Sequence, residues 1–149
     1  MFDSITASAI PATAKLVAGY VDGRLSQWSA ADWNRFPSAT KIEICTWGPR
    51  KLGNCLDIEF GDSIPEDAPA WVDNALARGV KKPILYMSLS DWPRTRALVG
   101  ARPVQWWIAH YTQVPHIPAG ADACQYADLP QFTGGNYDLS LCLPNFPVL

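Results

Sequence analysis

Long hydrophobic runs are missing from this sequence, and no apolar segment approaches the ~20 residues that a membrane-spanning helix needs. An excess of charge is missing as well, because 12 basic and 14 acidic residues give a formal net charge of −2. This balance provides no electrostatic attraction to nucleic acid or to anionic lipid. We therefore expect neither a nucleic acid nor a membrane as partner.

A secretory signal is also missing from the amino-terminal segment MFDSITASAIPATAK. The segment has no basic residue before Lys15 and no continuous apolar stretch, and a signal peptide requires both. The sequence thus predicts a protein that acts inside the cell or leaves it by a route that needs no signal.

Metal-binding and redox motifs are missing too. The four cysteines form no C-x-x-C pair, and the two histidines are too few and too far from any cysteine in sequence for a closed zinc site. We expect reduced cysteines that pack as small apolar residues, with a Cys45–Cys55 bridge between neighbouring strands as the alternative. We expect no metal. The residues concerned are Cys45, Cys55, Cys124, Cys142, His110 and His116.

Tryptophan, in contrast, is abundant, with seven in 149 residues. Trp and Tyr recur at polar-lined ligand sites because each offers a flat apolar face and a hydrogen-bond donor. A single Trp is more often a core residue, but a set of seven favours a ligand site. Hydrophobic residues make up 48% and charged residues 17%, which is typical of one globular domain, and we assign residues 1–149 to it.

Gly and Pro divide the chain into alternating strand-like and helix-like segments. Strands are predicted at 15–23, 40–47, 55–60, 82–90, 104–111, 123–128 and 135–143, and helices at 29–36, 64–79 and 91–100. This alternation predicts an α/β fold with mostly parallel strands. A complete eight-fold barrel usually takes ~250 residues. About seven strands and three helices therefore predict a shortened, incomplete (β/α) barrel, with a small open α/β sheet as the alternative.

Polar side chains are concentrated in the later part of each predicted strand. In parallel α/β folds the carboxyl ends of the strands share one rim, where ligands bind. We therefore expect several acids, a glutamine and aromatic rings at one mouth. The residues in this position are Asp22, Asp57, Glu59, Ser88, Ser90, His110, Tyr111, Gln125, Asp128 and Asp138.

Two carboxylates lie in the segment CLDIEFGD, residues 55–62. Asp57 and Glu59 point to the same face of a strand, about 6.6 Å apart along it. Retaining glycosidases place their carboxyl groups about 5–5.5 Å apart and inverting ones about 6.5–9.5 Å, so the spacing fits sugar hydrolysis without selecting a stereochemistry. Proximity also raises one pKa, as a general acid needs. The alternative is a structural pair held by Arg or by backbone donors.

Five segments carry a family resemblance: GYVDGRLSQWSAADW, LDIE, PILYMSLSDW, WWIAHY, and CQYAD followed by GGNYDLS. In order and in number they resemble glycoside hydrolase family 25, the Chalaropsis-type lysozymes. In that family the first strand ends in Asp before a loop with Ser, Gln and Trp, a later strand carries D-x-E, and W-x-A-x-Y and W-Q-Y motifs follow. The resemblance covers nearly the whole chain.

The resemblance implies residue roles. Glu59 would be the general acid, and Asp57 would stabilise the oxocarbenium-like centre or orient the 2-acetamido group for internal attack. Asp22 and Asp138 would complete an acidic floor. The residues implied to line the sugar subsites are Tyr86, Trp107, Tyr111 and Gln125. The implied reaction is cleavage of the β-1,4 bond after N-acetylmuramic acid in peptidoglycan, without a metal or an organic cofactor.

Two departures from the family keep a second function open. The family has about two more βα units between its first Asp and its D-x-E strand, whereas 34 residues lie between Asp22 and Asp57 here, and Cys124 replaces the Trp of the closing motif. The first reading is a small phage-encoded muramidase, held in the producing cell until lysis. The second is a non-catalytic virion structural, decoration or glycan-binding module, whose apolar tail LPNFPVL would reach neighbouring phage subunits.

Overall fold

The computed structural model describes residues 1–23, 27–46 and 52–149, and within them the chain forms eight strands and four helices. The strands are β1 (Phe2–Asp3), β2 (Leu16–Tyr20), β3 (Thr40–Cys45), β4 (Cys55–Ile58), β5 (Ile84–Ser88), β6 (Gln105–Ala109), β7 (Ala123–Ala127) and β8 (Asp138–Cys142). The helices are α1 (Ala30–Asn34), α2 (Ala68–Ala77), α3 (Trp92–Val99) and α4 (Pro130–Thr133). Short 3-10 turns occupy Ala7–Ala9 and Pro65–Asp67. None of the helices in these ranges has the length and hydrophobicity of a membrane span.

The eight strands form a closed barrel in sequence order. Strands β1 to β7 pair in parallel, and β8 runs antiparallel between β7 and β1. The predicted α/β barrel class is confirmed, but the barrel is closed and has eight strands rather than about seven. The additional strand, β1, is two residues long, which is too short to show an alternating pattern.

The barrel closes within 149 residues because helices, and not strands, have been reduced. The connection between β1 and β2 contains only a 3-10 turn, and residues 110–122, between β6 and β7, contain no helix. Helix α4, between β7 and β8, has four residues and was not predicted from the sequence. The number of strands predicted from the chain length was therefore too low, since most of the length of a complete barrel usually belongs to the outer helices.

Alternating strand residues divide the apolar side chains between the inside of the barrel and its outer layers. The interior holds Ala18, Ile42, Ile44, Cys55, Ile84, Tyr86, Trp107 and Phe146. Outside, Leu56, Ile58, Leu85 and Met87 pack against α2 and α3, including Trp71 and Val72. A third cluster, which includes Val17, Trp28 and Phe36, lies over β2. Apolar side chains thus fill most of the barrel interior below the ends of the strands at which the polar residues were expected.

The helix ends follow the local signals in the sequence. Ser29 and Asp32 form the reciprocal capping box that starts α1. Gly79, at φ +94°, follows α2, where a left-handed residue is favoured. Parts of two predicted segments lie outside the described residues: positions 24–26 of GYVDGRLSQWSAADW, and Trp47 at the end of the strand predicted at 40–47.

The cysteines are free thiols, and the alternative Cys45–Cys55 bridge is not formed. Both histidines were expected to lie too far from any cysteine for a shared site, and for His116 this expectation is wrong. Residues 110–122 fold back, so that His116 Nε2 lies 2.9 Å from His110 Nδ1 and 3.6 Å from Cys124 Sγ. Across the described ranges, nevertheless, no group of three or more His, Cys, Asp or Glu side chains is arranged to hold a metal ion.

Candidate active site

The two carboxylates of the D-x-E segment lie at the carboxyl end of β4. Cys55 belongs to the barrel interior, whereas Leu56 and Ile58 pack outside it. Asp57 therefore faces the interior by strand alternation. In the parallel register it pairs with Tyr86 of β5. This places one carboxylate of the pair inside the rim of the barrel.

Asp57 is a buried carboxyl, 1% exposed. The Tyr20 hydroxyl donates to its Oδ2 at 3.2 Å, and its Oδ1 has no hydrogen-bond partner among the described residues. Burial raises the pKa of Asp57 well above its usual value, and the charges of Glu59 and Asp62 raise it further. Asp57 is thus held in a setting that disfavours its charge.

Glu59 follows β4 directly and is only half-buried. Burial raises its pKa, as do the charges of Asp62 and Asp91, whereas interaction with the Tyr86 hydroxyl lowers it. Glu59 also lines a surface hollow of about 340 Å³. A carboxyl group that holds its proton more firmly than usual and also reaches an open hollow meets the requirements for a general acid.

Gln125 of β7 joins four polar side chains inside the mouth of the barrel. Its Oε1 accepts hydrogen bonds of 2.6 Å from both Tyr86 and Tyr111. Its Nε2 donates to Asp3 Oδ2 at 2.6 Å and to Asp138 Oδ2 at 3.2 Å. The two tyrosine hydroxyls donate to one end of the amide and the two aspartate oxygens accept from the other, so these four partners fix its orientation.

Asp3 is a site residue that the sequence analysis missed. It ends β1, lies buried in the mouth, and pairs in register with Asp138 of β8. Burial raises the pKa of Asp3 well above its usual value, and the neighbouring charge of Asp138 adds to the effect. Burial likewise raises the pKa of Asp138 to about 6. The available signal was the segment MFD, since the resembling family ends its first strand in Asp, and the first strand here ends in Asp3.

Asp22 occupies a different setting from the one expected. Its Oδ1 accepts from the backbone N–H of Thr46 at 2.6 Å and from the Thr46 hydroxyl at 3.1 Å. These bonds fix the residue that follows β3. Asp22 follows the second strand of the barrel, whereas Asp3 ends the first.

The aromatic residues expected around the sugar lie at different depths. The Tyr86 hydroxyl lies 3.3 Å from that of Tyr111, which is partly exposed at the rim. Trp107 is 1% exposed, and its Nε1 donates to Ser140 Oγ at 3.0 Å. Its ring centroid lies 4.6 Å from that of Tyr86. Trp107 therefore supports the site from within the core and does not line its surface.

The mouth of the barrel brings together most of the residues chosen from the sequence. The residues connected there by hydrogen bonds or by their effect on each other's pKa are Asp57, Glu59, Tyr86, Tyr111, Gln125 and Asp138, together with Asp3 and Tyr20. Many carboxyl groups in a partly desolvated space raise each other's pKa. Such an arrangement favours proton transfer to a substrate.

Comparison with known proteins bears on the fold. No protein-family model matches the sequence. No curated protein matches it either. Among solved structures, a muramidase from Acremonium alcalophilum is similar, with a TM-score of 0.53 and 14% sequence identity over 88% of this chain and 84% of that chain. At this identity the similarity concerns the fold alone, so the chain shares a barrel fold with that muramidase.

Proposed function

We propose that this protein is a muramidase-like glycoside hydrolase that cleaves the β-1,4 bond after N-acetylmuramic acid in peptidoglycan. The observation that carries the proposal is the setting of Glu59, a carboxyl group with a raised pKa between a buried acidic cluster and an open hollow. The fold shared with a muramidase agrees with this reaction. Phage origin and release at lysis stay predictions from the family resemblance.

The chemistry follows from the two carboxyl groups of the D-x-E segment. Protonated Glu59 gives its proton to the bridging oxygen while the bond from that oxygen to C1 breaks. Asp57 stabilises the positive charge that develops at C1, directly or by orienting the 2-acetamido group for internal attack. Water then adds to C1 and returns a proton to Glu59. The arrangement leaves the stereochemical outcome open.

The test is release of sugar fragments from purified peptidoglycan by the wild type and by Glu59→Gln. The amide cannot donate an acidic proton, so we expect at least a 100-fold lower rate, in line with the 10²–10⁴-fold contribution of general acids. Glu43→Gln is the matched control, because Glu43 is an exposed carboxylate on the neighbouring strand β3. Equal rates for wild type and Glu59→Gln would contradict the assignment of Glu59.

A second candidate function rests on the burial of Asp57. A stabilising carboxylate must approach the sugar. Asp57, however, is 1% exposed, and its burial disfavours the ionised form of its carboxyl group. This favours a non-catalytic module that binds cell-wall glycan at the rim, with the virion role as its context. Sedimentation with insoluble peptidoglycan separates the two. Binding without fragment release by folded wild type supports the module, and release that Glu59→Gln abolishes supports the hydrolase.

A further inference from the structure

The turn after Glu59 presents an aromatic ring to solvent. The Asp62 N–H donates to the Glu59 carbonyl at 3.0 Å, and Gly61, the third residue of the turn, has a φ of +95°. These are the features of a type II turn, which favours glycine at that position. A Cβ on Gly61 would meet no atom within 4 Å, so glycine is required there by the backbone and not by space. Phe60, the second residue, is fully exposed as a result.

Phe60 forms a wall of the hollow of about 340 Å³ that Glu59 also lines. Ile64 and Pro65 add apolar surface, and Asp91 adds a carboxylate. The Ser88 hydroxyl donates to Asp91 Oδ2 at 2.8 Å and thereby orients that carboxylate. The volume lies at the lower end of the ~300–1,000 Å³ range of small-molecule sites. The hollow therefore suits one ring-sized group with an apolar face and hydroxyl donors.

We propose that this hollow is the subsite for the leaving-group sugar, in which Phe60 stacks on the C–H face of a pyranose ring and Asp91 accepts hydrogen bonds from its hydroxyls. The inference rests on the proposed function, since it takes Glu59 as the group that protonates the bridging oxygen. Asp57, which acts on the other sugar, faces the barrel interior, whereas the hollow is lined by Glu59, by the turn that follows it and by Ile58, which packs outside the barrel. The two sugars of the cleaved bond are thus placed on opposite sides of Glu59.

The chemistry of the hollow matches a sugar. A pyranose ring is apolar on its faces and polar at its edges, and aromatic side chains bind such flat apolar faces. A carboxylate accepts several hydrogen bonds, and the Ser88 hydroxyl occupies only part of the capacity of Asp91. The ring of Phe60 is fully exposed and therefore accessible to a ligand.

The first test compares the kinetics of wild type, Phe60→Ala, Phe60→Tyr and Leu98→Ala on solubilised peptidoglycan strands. We expect Phe60→Ala to raise KM about tenfold with kcat within about twofold, because burial of one aromatic ring is lost. Phe60→Tyr keeps the ring and is expected to resemble wild type. Leu98→Ala, which removes an apolar side chain that is 40% exposed on α3, is the control. An unchanged KM in Phe60→Ala overturns the subsite while the hydrolase stands.

The second test applies if the wild type does not cleave peptidoglycan, which contradicts the proposed function by itself. Amide NMR of the wild type is then followed during titration with tetra-N-acetylchitotetraose. Shifts of the amides of residues 60–64 and Asp91, with binding weakened about tenfold in Phe60→Ala, support sugar binding in the hollow. Absence of those shifts overturns it. If Phe60→Ala instead changes the oligomeric state and leaves sugar binding unchanged, the ring serves a protein contact and the subsite is overturned.

Discussion

Gln125 Nε2 donates a hydrogen bond of 2.6 Å to Asp3 Oδ2, although the two residues are 122 positions apart in the sequence. The bond joins β7 to β1 across the inside of the mouth, while β8 lies between these two strands in the sheet. The same amide also accepts hydrogen bonds from the hydroxyls of Tyr86 and Tyr111. Closure of the barrel therefore brings the residues of the candidate site together. Stability and site chemistry therefore depend on the same contacts.

Asp3→Asn is expected to stabilise the protein at neutral pH. Burial raises the pKa of Asp3 in the folded state, so the folded protein binds more protons than the unfolded chain above pH ~4. The free energy of unfolding therefore falls as pH rises through this range. The amide oxygen of the new side chain still accepts from Gln125 and carries no charge. We expect a gain of roughly 1–3 kcal/mol at pH 7, which shrinks towards pH 4.

Urea denaturation at pH 4.5 and pH 7 checks this expectation. Glu43→Gln is the charge-matched control, because Glu43 is exposed and its removal is expected to change stability by less than about 0.5 kcal/mol. A gain of equal size at both pH values would show that charge burial at Asp3 is not the cause.

Gln125→Met is expected to destabilise the protein by about 3 kcal/mol. The thioether has a similar length but provides neither the donor for Asp3 and Asp138 nor the acceptor for the two tyrosines, and buried polar groups without partners are costly. Gln131→Met, at an exposed position of α4, is the control. In a double-mutant cycle with Asp3→Asn we expect a coupling above about 0.5 kcal/mol. Additive effects would mean that the two side chains do not share a network.

Tyr86→Phe is expected to move the alkaline limb of the pH–activity profile to higher pH. Interaction with the Tyr86 hydroxyl favours the ionised form of Glu59 and so lowers its pKa. Without it the pKa of Glu59 rises, and a general acid remains protonated to a higher pH. The profile of kcat/KM against pH reports this change.

The position of the alkaline limb separates this electrostatic effect from a loss of stability. Tyr126→Phe serves as control, since Tyr126 is a half-buried tyrosine on the neighbouring position of β7. If the alkaline limb of the profile stays in place in Tyr86→Phe, or moves to lower pH, the Tyr86 hydroxyl does not lower the pKa of Glu59.

Much of this site was predictable because it depends on local rules. The alternation of a strand placed Asp57 and Glu59 at one mouth, and the carboxyl ends of parallel strands brought Gln125 and Tyr86 beside them. These inferences require only the strand positions and their direction. The strand segments in the sequence supplied both.

The rest depended on information that a single strand does not contain. A strand of two residues has no period, so β1 and Asp3 were missed, and the order of motifs pointed to Asp22 instead. The strand predicted at 104–111 puts Trp107 and Tyr111 on one face, but they differ in depth, since Trp107 lies within β6 in the core and Tyr111 follows the end of β6 at the rim. Depth is set by the register between strands, which becomes known only when the barrel is closed.

Phe146→Ala is expected to cost about 3–5 kcal/mol of stability while leaving the chemistry at the mouth unchanged. Phe146 is buried in the barrel interior, and the Val148 N–H donates to the side chain of Gln105, the first residue of β6. The tail therefore covers the amino ends of the parallel strands, at the end opposite the candidate site. Leu149→Ala, at a partly exposed position, is expected to change stability by less than about 0.5 kcal/mol. Urea denaturation measures both losses, and a changed kcat in folded Phe146→Ala would contradict the separation of the two ends.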